Sequence, residues 1–155
     1  MEMDSFDKKI LNCLQENSRQ TAEQISALIG LSAPACQRRI KKLRESGAVA
    51  KEVAILDPKV CGSRTTLIVQ ICFAVGGIET VDGFKENICQ LPEVQHGYYC
   101  TGESDFIIIM TVKDMQDYDR LCREWFFGNP AIRRFDTSVA IGTVKAGFNI
   151  PLDVD

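Results

Sequence analysis

The side chains best equipped for chemistry in this chain are cationic and lie close together. From Gln37 to Arg44 the sequence reads QRRIKKLR, which groups Gln37, Arg38, Arg39, Lys41, Lys42 and Arg44, with no acidic residue before Glu45. Guanidinium and ammonium groups pair with phosphate oxygens, and Arg or Gln can also bond base edges in a major groove. The chemistry on offer is recognition of a polyanion. A solvated surface helix can carry the same basic run, so the neighbouring elements have to decide between the two readings.

Those elements are helical. Cys36, Ile40 and Leu43 recur at i, i+4 and i+7 inside the basic run and form one apolar stripe, leaving the other faces charged. Gly30-Leu31-Ser32 breaks the preceding helix, Ser32 is an expected N-cap, Pro34 fits the first turn, and Gly47 stops the helix. Upstream, Thr21 and Gln24 have capping-box spacing and open a helix with Ala22, Ile25, Leu28 and Ile29 inward. Before that, Asp4 can cap a first helix burying Phe6, Ile10, Leu11, Cys13 and Leu14. Three short helices at this spacing make a helix-turn-helix core. Ala48–Leu56 reads as a short extended segment or hairpin, which suggests a winged variant over residues 1–60.

Composition narrows the rest. The 155 residues suffice for one domain or two small ones, and 45% hydrophobic with 25% charged residues describe an ordinary soluble globular protein. No apolar run approaches the roughly 20 residues of a membrane span, and the acidic start MEMDSFDKK has no signal-peptide core, so a cytoplasmic location is expected. The seven cysteines form no C-x-x-C pair and are read as reduced, buried small hydrophobes; with His96 the single histidine, neither metal nor cofactor is expected. The net charge of −3 is unevenly spread. Residues 1–60 hold ten Lys/Arg against eight Asp/Glu, and the remainder eight against thirteen. An acidic second half repels a polyanion, so contact with DNA is expected in the first half only.

The second half, residues 61–155, alternates strand and helix signals. Thr65–Ala74, Val94–Thr101, Asp105–Val112 and Ile132–Val144 read as strands, with Gly76-Gly77 ending the first. Val81, Phe84, Ile88 and Leu91 form one helical stripe; Asp114 caps another, with Met115, Tyr118, Cys122 and Trp125 or Phe126 inward. The order β-α-β-β-α-β predicts a ferredoxin-like domain, hence an α+β protein. In FIIIMTV both alternating sets are mostly hydrophobic, which predicts that the helix-free sheet face packs on a second copy.

Over nearly its full length the chain resembles the Lrp/AsnC family, the feast/famine transcription regulators. The resemblance is carried by FDKKILNCLQENSR, by IGLSAPACQRRIKKLRESGAV, by the turn GESDF and by TSVAIGTVK. The family pattern R-R-[VI]-K-x-L falls on Arg38, Arg39, Ile40, Lys41, Lys42 and Leu43. The resemblance implies a sequence-specific regulator that dimerises through its second domain and often assembles to an octamer. It also implies that a small molecule, usually an amino acid, tunes assembly and DNA binding.

The family's effector site lies between dimers, beside a turn that usually reads G-D-[YF]-D. Here the turn is Gly102, Glu103, Ser104 and Asp105, with Ser104 in place of the aromatic ring. The response positions fall on Thr137, Ser138, Val139 and Ala140, with Tyr99 and Met115 matching others. Physically, the Asp105 carboxylate suits the ammonium of a zwitterion, and a tight glycine turn exposes N–H donors for its carboxylate; a plain hairpin turn has the same composition. On the third helix Gln37, Arg38, Lys41 and Lys42 are the better candidates for DNA. Arg39 can bond scaffold or phosphate instead, and Ser32, Ala33 and Ala35 lie near the helix N-terminus, where backbone or bases approach. Two other readings stay open. Siroheme decarboxylases are similar in arrangement, but their chemistry wants histidines and arginines around a pocket, and the lone His96 argues against it. A metabolite-binding module without DNA affinity is the other, and the intact basic helix argues against that.

Overall fold

The computed structural model describes residues 2–74 and 77–154. Of the expected Gly76-Gly77 stop, Gly76 lies outside them. The chain forms two compact units, Met1–Ile55 with Lys145–Asp155, and Leu56–Val144.

The first unit is a helix-turn-helix. Helix α1 spans Ser5–Glu16, α2 Ala22–Ile29 and α3 Ala33–Glu45. Asp4 caps α1, accepting the Asp7 N–H at 2.8 Å. Thr21 and Gln24 form the capping box, with the Gln24 side chain on the Thr21 N–H and the Thr21 hydroxyl on the Gln24 N–H. Gly30 ends α2 at φ +77°, a left-handed backbone that costs glycine nothing, and so permits the sharp turn into α3. Ser32 stands at the N-cap of α3, but its hydroxyl makes no capping bond; Pro34 occupies the first turn. Ile10, Leu11, Leu14, Ile25, Cys36, Ile40 and Leu43 make the core.

Three expectations change here. Leu28 is 69% exposed. Helical geometry explains this: the positions that pack, Ala22, Ile25 and Ile29, centre on one line, and Leu28 lies about 90° from it at ~100° per residue. The hairpin wing is absent, since residues 48–57 contain neither helix nor strand. Val49 packs on the first core, but Val53, Ile55 and Leu56 are mostly exposed, and an uncovered two-stranded hairpin is marginal at best. The third change is the tail. The expected domain boundary at residue 60 left the tail with the second domain; the contact division falls after Ile55 and returns residues 145–155 to the first unit.

The second unit opens with a 3-10 turn at Pro58–Cys61, followed by β1 (Thr65–Phe73), α4 (Ile78–Gln90), β2 (Val94–Tyr99), β3 (Phe106–Val112), α5 (Met115–Leu121) and β4 (Ile132–Val139). Helix α5 continues as a π-helical stretch, Cys122–Phe127. The sheet order is β2-β3-β1-β4 with every neighbour antiparallel, the expected ferredoxin-like arrangement. Leu67, Val69 and Ile71 of β1 and Phe106, Ile108 and Met110 of β3 face the core with Phe84, Ile88, Tyr118, Leu121 and Phe126. Met115, expected inward, is half-exposed at the start of α5. Strand β4 ends at Val139 rather than Val144: Val139 pairs with Leu67, the Ala140 N–H takes the Thr66 carbonyl, and β1, which begins at Thr65, has no residue to oppose 142–144.

The opposite sheet face carries Ile68, Gln70, Ile107, Ile109, Thr111 and Tyr98. Ile107, Ile109 and Thr111 are half-buried within one chain, so the helices cover only one face. All seven cysteines are free; Cys36, Cys72 and Cys122 are buried as expected, while Cys61 and Cys89 are exposed. Among the described residues no helix is long and apolar enough to cross a membrane.

Candidate nucleic-acid interface and effector turn

On α3 the apolar stripe of Cys36, Ile40 and Leu43 fixes which basic groups face outward. At ~100° per residue, Gln37, Arg38, Lys41 and Lys42 centre about 160° from that stripe, and all four are exposed. Arg39 lies nearer the stripe, and its guanidinium turns back on α1. It donates to the Asp7 carboxylate at 2.7 Å and meets the Asp4 carboxylate at 2.8 Å. The Asp7 side chain is 8% exposed, so this pair is largely shielded from water. The Asp7 N–H, and after it Arg39, hold the Asp4 carboxyl below the usual carboxylate range; Asp7 and Asp4 in turn raise Arg39. Lys41 pairs loosely with Glu45 at 3.7 Å, and Arg44 meets Glu52 at 2.8 Å.

Among the described residues Arg38 and Lys42 make no ion pair, and they stand one turn apart on the exposed face. Both line an open cleft of about 470 Å³ with Leu31, Ala35 and the Asp4–Arg39–Asp7 cluster. Ser32 is exposed, and Ala33 and Ala35 are half-buried beside this cleft at the start of the helix. An anion entering here meets Arg38, Lys42 and the positive end of α3, opposed by the Glu2 carboxylate on the same cleft. Sequence reasoning missed Asp7. The available signal was a carboxylate at the head of a stripe continued by Ile10, Leu11 and Leu14, where an apolar residue belongs.

The turn Gly102–Asp105 is tied to β1 at four points. The Asp105 carboxylate accepts the Phe73 N–H at 2.7 Å, and the Asp105 N–H donates to the Ile71 carbonyl at 2.9 Å. The buried Ser104 hydroxyl donates to Gln70 Oε1 at 3.2 Å, and the Cys72 thiol to the Glu103 carbonyl at 3.1 Å. Gly102 sits at φ +122°, a backbone that disfavours any side chain, and Glu103 is exposed. Tyr99 packs at a tilt against Phe106 on the helix side, with the Lys85 ammonium 4.9 Å from its ring centre.

The β4 candidates lie elsewhere. Thr137 shares a short hydrogen bond with Tyr118, whose hydroxyl burial pushes up in pKa; Ser138 and Val139 are exposed, and Ala140 is half-buried. Ser138 pairs with Ile68, while Asp105 bonds Phe73, five residues further along β1; at ~3.3 Å per residue the two groups are about 16 Å apart. Met115 belongs to the Ser138 end, since β3 finishes with Val112 opposite Thr65. Within one chain, therefore, the candidates form two groups, the Gly102–Asp105 turn with Tyr99 at one end of the sheet and Thr137–Ala140 with Met115 from the middle of β1 to its other end.

Comparison with known proteins finds a family model for each half of the chain. The AsnC-type helix-turn-helix domain model matches residues 3–44, and the Lrp/AsnC ligand binding domain model matches residues 66–150. The chain belongs to the Lrp/AsnC family of transcriptional regulators. An Lrp/AsnC chain of this kind joins a DNA-binding helix-turn-helix to a ligand-binding domain. Its relatives are themselves regulators. It is 42% identical to the uncharacterized HTH-type transcriptional regulator y4tD of Sinorhizobium fredii, covering 99% of this chain and 91% of that one. It is 36% identical to the transcriptional regulator AzlB of Bacillus subtilis, covering 97% and 96%. Among solved structures, an AsnC family regulator from Agrobacterium tumefaciens is 32% identical with a TM-score of 0.88, covering 96% and 97%. A regulator from Neisseria meningitidis, solved as an L-Met complex, is 25% identical with a TM-score of 0.89, covering 98% of each chain.

Proposed function

We propose that this Lrp/AsnC regulator acts as a homodimer that assembles further, with an octamer as the expected form. Each dimer presents two α3 helices to successive major grooves of an imperfect palindrome, roughly one helical turn apart. Arg38 and Lys42 take phosphates, while Gln37 and Lys41 reach base edges or the adjacent backbone. The half-covered apolar sheet face, with Ile68, Ile107 and Ile109, is the dimer contact.

The effector is an amino acid. Asp105 binds its ammonium, and the Thr137–Ala140 end of β4 from another copy completes the site. The observation that carries this reading is the separation of the two candidate groups along β1, which a contact between copies would bridge. The regulator solved as an L-Met complex, and a glutamate uptake regulatory protein of Zymomonas mobilis 35% identical over 122 residues, support an amino-acid ligand. As a DNA-binding regulator, the protein is expected in the cytoplasm.

The test is a gel shift on the protein's own upstream DNA, against unrelated competitor, with each of the twenty amino acids. Sequence-preferring binding that one amino acid alters is the expected result. Specific binding that none alters refutes the effector assignment; loss of all sequence preference refutes the operator assignment.

A further inference from the structure

The C-terminal tail belongs to the DNA-binding unit. The ligand-binding domain model runs on to residue 150, yet residues 145–155 group with α1–α3. The contacts are specific. The Gln15 side-chain amide pairs with the Ile150 backbone in both directions: Nε2 donates to the Ile150 carbonyl at 3.0 Å, and Oε1 accepts the Ile150 N–H at 2.6 Å. A primary amide held this way imitates a neighbouring strand. One residue earlier, Asn149 Nδ2 donates to the Glu16 carboxylate at 3.1 Å. Two residues later, Leu152 packs against the core that contains Ile10 and Leu14. Pro151 stands between, without an N–H to satisfy.

The chain thus enters the DNA-binding unit twice, once on each side of the ligand-binding unit, at residues 55/56 and 144/145. The second crossing is short. Strand β4 ends at Val139, and the fully exposed stretch from Ile141 to Val144 leads directly into the docked tail.

We propose that residues 145–154 are a releasable strap. Docked on α1, the strap completes the DNA-binding unit and ties it a second time to β4, through hydrogen bonds and the Leu152 contact. Undocked, it leaves that unit tethered through residue 55 alone. The polar contacts are solvent-exposed, so release is local and leaves the sheet intact. Docking bears on DNA binding because α1 is one continuous helix: Gln15 and Glu16 hold the strap at its end, and Asp4 and Asp7 hold Arg39 of α3 at its start. The inference goes beyond the proposed function and does not need an effector.

The experiment uses full-length Gln15→Ala and Leu152→Ala variants. Amide exchange is read by mass spectrometry in α1 and, as an internal control, in α4. Affinity for random-sequence duplex DNA is measured alongside. Loss of the strap contacts speeds exchange in the last turn of α1 on the order of fivefold, leaves α4 unchanged, and weakens DNA binding by about twofold or more. Gln15→Glu keeps the acceptor for the Ile150 N–H and falls between wild type and Gln15→Ala. The proposal is overturned if α1 exchange is unchanged in both alanine variants, if α1 and α4 rise together, or if α1 loosens while DNA affinity stays the same. Random-sequence DNA keeps these outcomes separate from any failure of the operator or effector assignments.

Discussion

Arg39 and Arg38 are adjacent, equally charged, and assigned opposite tasks. Replacing Arg39 by Met keeps most of its stem but strands the Asp7 carboxylate, whose side chain is 8% exposed. Breaking a fully buried ion pair costs about 3–5 kcal/mol. Arg39 itself is 32% exposed, so water can replace part of the lost interaction, and a cost of about 2 kcal/mol is the better expectation. For a unit of this size each kcal/mol moves the melting temperature by roughly 4–8 °C, so the DNA-binding unit should melt roughly 10 °C lower. Arg38→Ala removes an exposed cation that makes no ion pair and should leave the melting temperature nearly unchanged. DNA binding separates the two in the other direction. The slope of log affinity against log salt should fall by about 0.9 for Arg38→Ala and stay the same for Arg39→Met, measured below the lowered melting temperature. Thermal unfolding followed by circular dichroism, with fluorescence anisotropy across a salt series, reads both. If Arg39→Met melts like wild type and loses one unit of salt slope, then the Asp4–Arg39–Asp7 cluster is incidental and Arg39 faces the phosphates.

Two further predictions follow from the same geometry. Asp105→Asn keeps an acceptor for the Phe73 N–H and removes only the charge; basal DNA binding should persist while the amino-acid response disappears, and a normal response would make Asp105 purely structural. Asp4 and Asp117 have carboxyls lowered below the usual 3.8, by the Asp7 N–H and by Arg120 first, respectively, so the folded state binds fewer protons than the unfolded one. Their stabilisation is complete above the ordinary value and is lost as pH falls through the lowered one. Asp4→Asn, which keeps a good helix cap, should therefore flatten the acid limb of the stability curve of the first unit, and an unchanged limb would contradict that assignment.

Much of this regulator was readable in one dimension. Helix starts were legible because Asp4, Thr21 and Asp114 act through bonds to backbone within three residues. The first core was legible because period 3.6 in Cys36, Ile40 and Leu43 is set by backbone geometry alone; in FIIIMTV both alternating sets are mostly hydrophobic, and only packing chose Phe106, Ile108 and Met110 for the core. The strand-helix order was enough for the ferredoxin-like sheet, since few topologies satisfy it. The family resemblance pointed to the same architecture and to both domain matches.

What needed the third dimension were the choices between equally good local options. The sequence offers five cations from Arg38 to Arg44; only the packing of α1 against α3 turns Arg39 inward to Asp4 and Asp7 and leaves Arg38 and Lys42 to the solvent. Alternation in AVAKEVAIL suggested a wing, but a strand also needs a partner, and none is supplied within the described residues. Strand β4 read as far as Val144 by composition and stops at Val139; β1 begins at Thr65 and has no residue to oppose 142–144. The tail carries no signal of its destination: Gln15 and Ile150 are 135 residues apart, and contacts across such a separation are set by how the whole chain returns on itself. Local bonds and periodicity write elements into the sequence; which charges are neutralised, which strands end and where the terminus docks depend on neighbours that only folding brings together.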